Sequence, residues 1–329
     1  MIFEKDIPIP VTDGNVLRCN VFRPSRPGRI DVPVLSAGNW GGPGVHLRGN
    51  IEGYMRCGSR EKWLSMHVGT HFESFYLPEY VAMQKRFLDH YLKGLDNGWN
   101  REARVQLSIR GPHSAPRRME NEFPLARTAW TRFYLDASKR SIRRENPTSE
   151  ASVTYDATGE AVTFTTAPFE EDLEVTGFIT LRLWISSSTT DMDIFATLRA
   201  FAPDGTEVIF DGAHEPTPVS RGWLRASHRA LAAERSTDRA WHAHREVEKL
   251  APGALYAVDV EIWPTSMVYP RGYRLALNVA GRDFEIEGIP GRILHQYPAS
   301  RDPAEFGGTN TIVTGAAYES YVLLPVIPA

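Results

Sequence analysis

Two short apolar runs constrain the fold of this chain most. Residues 32–37 read VPVLSA and residues 62–67 read KWLSMH. The first is a continuous apolar run, typical of a strand that is buried on both faces of a parallel sheet, and the second is interpreted as another buried strand. Helical patterns follow at residues 46–57 and 80–93, the second with Gly94 as a C-terminal cap. The first part of the chain therefore predicts strand, helix, strand, helix, which is the end of a doubly wound α/β sheet.

The pattern changes near residue 125. Beyond it, short alternating segments are separated by turn signals, which predicts an antiparallel sandwich or jelly roll. The strands expected there are residues 131–135, 151–155, 161–165, 173–185, 194–201, 207–210, 256–263, 273–280 and 318–325. A polar insertion at residues 225–249 is expected to favour helix. At the N-terminus, alternating residues on both sides of Asp13-Gly14 predict a β-hairpin within residues 1–30.

Composition excludes several classes of protein. The net charge is −3 and 42% of the residues are hydrophobic, so we expect neither a nucleic-acid partner nor a membrane partner. No apolar run approaches the roughly 20 residues of a membrane span, and the N-terminus does not resemble a signal peptide. We therefore expect a cytoplasmic protein. Cys19 and Cys57 are too few for a disulfide framework, and free thiols are expected.

Several motifs occur together in one order along the chain. They are VTDGNVL at residues 11–17, VFRP at 21–24, VPVLSAGNWG at 32–41, KWLSMHVGTH at 62–71, GFITLRLWISSSTTDMD at 177–193, GWLRASHR at 222–229 and GYRL at 272–275. In sequence and order they resemble the CocE/NonD (cocaine-esterase-like) hydrolases, relatives of Xaa-Pro dipeptidyl-peptidases. The resemblance implies an α/β-hydrolase domain followed by a C-terminal jelly roll.

The chain departs from this family between Pro27 and Asp31. There the family places most of its hydrolase core, including the serine nucleophile, the oxyanion loop and a cap. No Gly-x-Ser-x-Gly nucleophile motif occurs in the chain. The predicted fold is therefore a truncated α/β-hydrolase-like region at residues 1–124, joined to an antiparallel jelly-roll β-sandwich at residues 125–329.

Two residues are candidates for catalysis. The resemblance implies that His71, in the loop after the second apolar run, is the triad histidine that acts as general base; the alternative is a loop histidine with a satisfied hydrogen bond. Gly41 or Gly42 stands where the family has its triad aspartate. Asn39 would orient the imidazole as an amide does in Cys-His-Asn sites, or would only shape a tight turn.

A metal site is the weaker interpretation of the same region. His67 and His71, with Glu73 close by, have the i, i+4 spacing of metal ligands on a helix. However, Val68 stands where a zinc protease has its catalytic glutamate, and the Val, Gly and Thr around it disfavour a helix. We therefore expect no metal and no cofactor.

Two functional classes remain open. The first is a serine hydrolase of the CocE/NonD type that acts on a small acyl ester, amide or peptide substrate and is inactive without a nucleophile segment. The second is a non-catalytic jelly-roll module for binding or assembly. Because parallel strands are built to be buried, the truncated sheet predicts an open edge suited to homodimer formation, and helices that expose apolar faces.

Overall fold

The structure is a computed structural model. It describes residues 2–10, 16–23, 30–44, 46–70, 73–212, 215–233, 236, 238–289, 295 and 300–328, with only the backbone of residues 2–23 and Glu73. Strands β1 (Ile2–Pro10) and β2 (Val16–Arg23) pair antiparallel as a separate two-stranded sheet, as the hairpin pattern predicts. The turn at Asp13-Gly14 lies outside the described residues.

A four-stranded mixed sheet follows. Its strands are β3 (Val34–Asn39), β4 (Lys62–His67), β5 (Val105–Ser108) and β6 (Arg117–Glu120), in that order. The first three are parallel and β6 is antiparallel to β5. Helix α1 (Leu47–Arg56) connects β3 to β4, and α2 (Glu73–Tyr76), α3 (Pro78–Lys93) and a 3-10 turn (Trp99–Arg101) lie between β4 and β5. Strand β3 lies at the edge of this sheet.

Alternation along β4 places the helices on opposite faces of the sheet. Trp63 packs against α3, in a cluster with Tyr80 and Met83. Its neighbours on the strand, Leu64 and Met66, point to the other face, where they form a second cluster with α1. Both faces of β4 are therefore covered, which explains why residues 63–67 are all buried, the polar Ser65 and His67 included.

The caps of α3 follow from local sequence. Pro78 occupies the first turn, where its missing N–H costs no hydrogen bond. Gly94 ends the helix in the left-handed region at φ 68°, which glycine adopts without strain. The predicted cap is confirmed.

The remaining chain is mostly β structure. Its strands are β7 (Ala129–Asp136), β8 (Ser141–Arg143), β9 (Ala151–Asp156), β10 (Val162–Thr166), β11 (Leu173–Ser187), β12 (Asp193–Phe201), β13 (Ser220–Arg225), β14 (Tyr256–Tyr269), β15 (Arg274–Ala280), β16 (Thr309–Thr314) and β17 (Tyr321–Ile327), with the short helix α4 (Pro303–Phe306) before β16. The sheet closes on itself because β14 pairs with both β13 and β11, and a large apolar cluster fills the interior. Together these strands form a β-sandwich.

Two predictions for this region are wrong. Residues 207–210 form isolated bridges and no strand. The helix expected at residues 225–249 is also absent, because the described residues there contain only a 3-10 turn at Ala226–His228. Tertiary contacts override helix propensity here: the ring of Trp241 packs under the guanidinium groups of Arg48 and Arg56 from α1, at 4.4 and 4.3 Å.

A buried polar seam joins α1 to the sandwich. Arg239 pairs with Glu52 of α1 and with Glu261 of β14, and the latter contact is 2.8 Å. Glu261 also accepts from Nε of Arg48 at 2.9 Å, and Glu52 accepts from Arg56 at 2.8 Å. The two parts of the chain are therefore linked by alternating charges, of which Arg239, Glu52 and Glu261 are buried and Arg56 reaches solvent.

Exposed apolar faces were expected on both helices, α1 and α3, and only α3 has one. Leu88 and Leu92 of α3 are exposed, whereas Leu47 and Ile51 of α1 are buried. The apolar face of α1 is buried because the sandwich packs against it. Within the described residues, no helix is long and apolar enough to cross a membrane.

Candidate functional site

The ends of β3 and β4 meet at the carboxyl edge of the sheet. The two strands are parallel and in register, so their last residues, Asn39 and His67, are direct neighbours. Both side chains are buried, at 4% exposure each. In open parallel sheets ligands bind outside this edge, so the loops that follow β3 and β4 form the candidate site.

Asn39 organises both loops. Its Oδ1 accepts from the backbone N–H of Gly41, which closes a turn after β3. Its Nδ2 donates to the carbonyls of Gly69 at 2.9 Å and Thr70 at 3.2 Å, and lies 3.3 Å from Nδ1 of His67. An amide has two N–H donors, enough for both carbonyls. Asn39 therefore shapes the turn and also holds the loop after β4.

The loop before position 71 is fixed from a second side. Ser74, at the start of α2, donates to the carbonyl of Val68 and lies 3.3 Å from that of Thr70. Gly69 adopts φ 88°, a conformation that favours glycine. Three successive carbonyls are thus hydrogen-bonded by side chains from β3 and α2. His71 itself lies outside the described residues, and the imidazole that Asn39 reaches is that of His67.

Gly41 or Gly42 stands where the resemblance implies the triad acid, and only Gly42 has ordinary van der Waals space for a Cβ atom. A Cβ atom on Gly41 would overlap the carbonyl oxygen of Asp211 in the sandwich and would lie 2.9 Å from Oδ1 of Asn39. The backbone passes too close to a second loop for any side chain at this position. The glycine is therefore a packing requirement of this chain.

A cavity of about 260 Å³ opens beside these loops. Its lining includes Gly41, Gly69, Arg110, Ser114 and Asp211. Among the described residues of that lining, Arg110 and Asp211 carry the charged side chains, and they come from different parts of the chain. Neither residue was predicted from the sequence, because no local motif surrounds either of them and only the packing of the sandwich against the sheet brings them together.

Arg110 is a buried cation. It donates to the carbonyls of Ser266 at 3.0 Å and Val219 at 2.7 Å, and its Nη1 has no hydrogen-bond partner among the described residues. Burial lowers the pKa of Arg110 to about 9. Its visible role is to tie the end of β5 to the sandwich.

The described residues contain no cluster of three or more metal-ligating side chains. The ring of His67 packs 5.3 Å from that of Tyr80 and lies beside Asn39. The described groups at this edge are thus the amide of Asn39, the imidazole of His67, loop backbone groups, and the charged side chains of Arg110 and Asp211 in the cavity.

Comparison with known proteins identifies the family. Residues 97–323 match the family model of the X-Pro dipeptidyl-peptidase C-terminal non-catalytic domain. The chain is 30% identical to a CocE/NonD family hydrolase from Staphylococcus aureus of known structure, with a TM-score of 0.84 over 90% of this chain and 55% of that one. It is 23% identical to the cocaine esterase of a Rhodococcus species, over 76% of this chain and 46% of the esterase.

More distant structures share the fold alone. An aminopeptidase from a marine sediment Thaumarchaeota archaeon superposes with a TM-score of 0.66 at 15% identity, over 91% of this chain and 56% of that one. The chain spans about a third to a half of the length of the curated relatives that it matches. With the family model matching more than two thirds of its residues, the chain belongs to the CocE/NonD hydrolase family, which is related to the X-Pro dipeptidyl-peptidases.

Proposed function

We propose that this chain is the histidine-bearing part of an acyl hydrolase of the CocE/NonD type, acting on a small ester, amide or peptide. In this proposal residues 1–124 are the end of an α/β-hydrolase sheet and residues 125–329 are a jelly roll. The parallel order β3, β4, β5, with helices on both faces, supports the first assignment. The closed sandwich, antiparallel except for the pairing of β8 with β10, supports the second.

The observation that carries the proposal is the bonding of the loop at residues 68–70. Asn39 and Ser74 together hold the carbonyls of Val68, Gly69 and Thr70, directly before His71 and at the carboxyl edge of the sheet. A general base must be held within hydrogen-bond reach of its nucleophile. A loop fixed in this way is suited to present a base at position 71, so Asn39 is proposed as a positioning residue.

Acyl transfer needs two further parts that no motif of the chain supplies. A nucleophile must attack the carbonyl carbon, and donors must stabilise the resulting oxyanion. We propose that both come from polypeptide outside this chain, and that His71 would then take the proton of the attacking hydroxyl and return it to the leaving group.

A second function is favoured by the family match itself. The matched model describes a non-catalytic domain, and it covers residues 97–323, most of the chain. In this alternative the sandwich binds a partner or supports assembly, and the sheet of β3 to β6 is only its base. The two proposals differ in whether position 71 ever acts on a substrate.

Activity-based labelling separates them. We expect a fluorophosphonate probe to leave the chain unlabelled, because the nucleophile motif is missing. We expect labelling and turnover of a p-nitrophenyl ester once a polypeptide carrying the nucleophile strands is co-expressed. His71→Ala should then lower kcat by about 10²–10⁴-fold, whereas His113→Ala, at an exposed loop histidine, should not.

Two results would count against the hydrolase proposal. If the complemented protein hydrolyses no ester, amide or peptide substrate, the non-catalytic module is the better description. If the chain alone labels on a single serine, a nucleophile exists that the sequence motif does not reveal.

A further inference from the structure

Helix α3 has two apolar sides, and the described residues cover only one of them. Tyr80, Met83, Phe87 and Tyr91 face the sheet and pack around Trp63. A second row begins at the residue before the helix and lies about a quarter turn away, at the 3.6-residue period. It consists of Leu77, Val81, Leu88, Leu92 and, just after the helix, Leu95, with Tyr76 beside its start.

We call these six residues the leucine face. Leu92 is 77% exposed and Tyr76 is 69% exposed, and the other four range from 38% to 49%. Of the thirteen large apolar side chains that are exposed in the described part of the chain, seven lie between Phe75 and Leu95. Single exposed leucines are normal, but several on one side of a helix, interrupted only at Gln84, mark an interaction surface.

The size of the face fits one side of a dimer. Six side chains with these exposures form an apolar patch of a few hundred Å², as large as the patches that on soluble proteins often mark an interaction site. With the polar rim that surrounds the apolar centre of an interface, two such patches come close to the ~1,200 Å² at which standard stable interfaces begin.

The face is nearly symmetric about the level of Arg86. Leu77 lies nine residues before Arg86 and Leu95 nine residues after it. Val81 lies five residues before it and Leu92 six after it. Gln84 and Leu88 lie two residues before and after it. Two copies of α3 in antiparallel orientation would therefore pair Leu77 with Leu95 of the other copy, and Val81 with Leu92. A surface that matches itself in this way is what a two-fold interface requires.

We infer that two copies of this chain dimerise through the leucine face, with their α3 helices antiparallel. The open edge of β3, the surface expected from the sequence, is the weaker candidate. That strand is six residues long and follows directly on Pro33, which cannot donate a ladder hydrogen bond. The inference does not depend on whether the chain is a hydrolase.

Light scattering coupled to size-exclusion chromatography tests it. We expect the full chain to elute at twice 37.0 kDa. The double variant Val81→Glu/Leu92→Glu should be a monomer, because two carboxylates per copy would be buried without partners. Val247→Glu is the matched control, since Val247 is 58% exposed on another surface; it should remain a dimer. Both positions of the double variant are exposed, so it should keep the wild-type circular dichroism spectrum.

Single cysteines test the orientation, in a background with Cys19→Ser and Cys57→Ser. Position 88 lies near the two-fold axis, so Leu88→Cys should form a disulfide with the same cysteine of the second copy. Leu77→Cys should crosslink only when mixed with Leu95→Cys. A monomeric wild-type chain, a dimer that survives the double variant, or self-crosslinking through Leu77→Cys would each overturn the proposed interface.

Discussion

Replacing Asn39 with alanine is the most direct test of the candidate site. The change removes one accepted hydrogen bond, from the N–H of Gly41, and two donated bonds, to the carbonyls of Gly69 and Thr70. It leaves the strand intact, because alanine is accommodated in the extended backbone of β3. The substitution should therefore disturb only the two loops, and it should lower the free energy of unfolding.

The magnitude follows from where each partner lies. Gly41 is buried, and an unsatisfied buried amide costs about 1–3 kcal/mol. Thr70 is exposed and Gly69 half-buried, so water can replace much of those two bonds, which are each worth about 0.5–1.5 kcal/mol net. We expect Asn39→Ala to lower the free energy of unfolding by about 2–3 kcal/mol.

Urea denaturation combined with hydrogen exchange measures both effects. The midpoint should fall, and the amides of residues 67–70 should exchange faster than in the wild type. Asn97→Ala is the matched control, since Asn97 makes the same turn, accepting from Trp99 at 3.2 Å and donating to the carbonyl of Arg86 at 2.8 Å, at a more exposed site. Asn97→Ala should lower the free energy of unfolding by less than about 1 kcal/mol.

One result would refute this reasoning. If Asn39→Ala costs less than about 0.5 kcal/mol and leaves exchange at residues 67–70 unchanged, the loop before His71 is held by something other than Asn39. The main support for the proposed site would then be gone.

Two further predictions concern polar contacts outside this loop. Arg239→Met should lower the free energy of unfolding by about 2–3 kcal/mol in urea, below the usual 3–5 for breaking a buried pair, because Glu52 and Glu261 each keep a second arginine; a loss near zero would contradict the seam. The hydrogen bond to Asp283 raises the pKa of His295. A raised histidine pKa adds stability that is complete below about pH 6.5 and is lost as the pH rises through the folded value. Asp283→Asn should therefore destabilise the chain more at about pH 6 than at about pH 9, and equal losses at both would contradict the pair.

Much of the sheet region could be predicted from local sequence. The range of β4 matches the apolar run at residues 62–67, and α3 ends at the predicted Gly94. Apolar runs and glycine caps act within a few residues of each other, so no knowledge of the remaining chain is needed to interpret them. The family was also evident from motifs distributed along the chain.

The failures have a common cause. Residues 225–249 have helix-forming composition, yet Arg239 and Trp241 are bound by residues of α1 and β14 that are distant in sequence. Strand β5 was not predicted, because four residues carry too little pattern to distinguish a strand from a loop. The conformation of both segments depends on contacts with residues that are distant in sequence.

The sequence by itself determined the family, the order of strands and helices around β3 and β4, and the absence of a Gly-x-Ser-x-Gly motif. Only the tertiary structure decided that Asn39 meets His67 and the loop carbonyls, that Gly41 has no room for a side chain, and that Arg110 and Asp211 line one cavity. The roles of His71 and Asn39 in catalysis stay predictions. The physical reason for the division is that periodicity and turn chemistry act between neighbours in the chain. A site, in contrast, forms where parallel register and the docking of a second layer bring distant residues within hydrogen-bond distance.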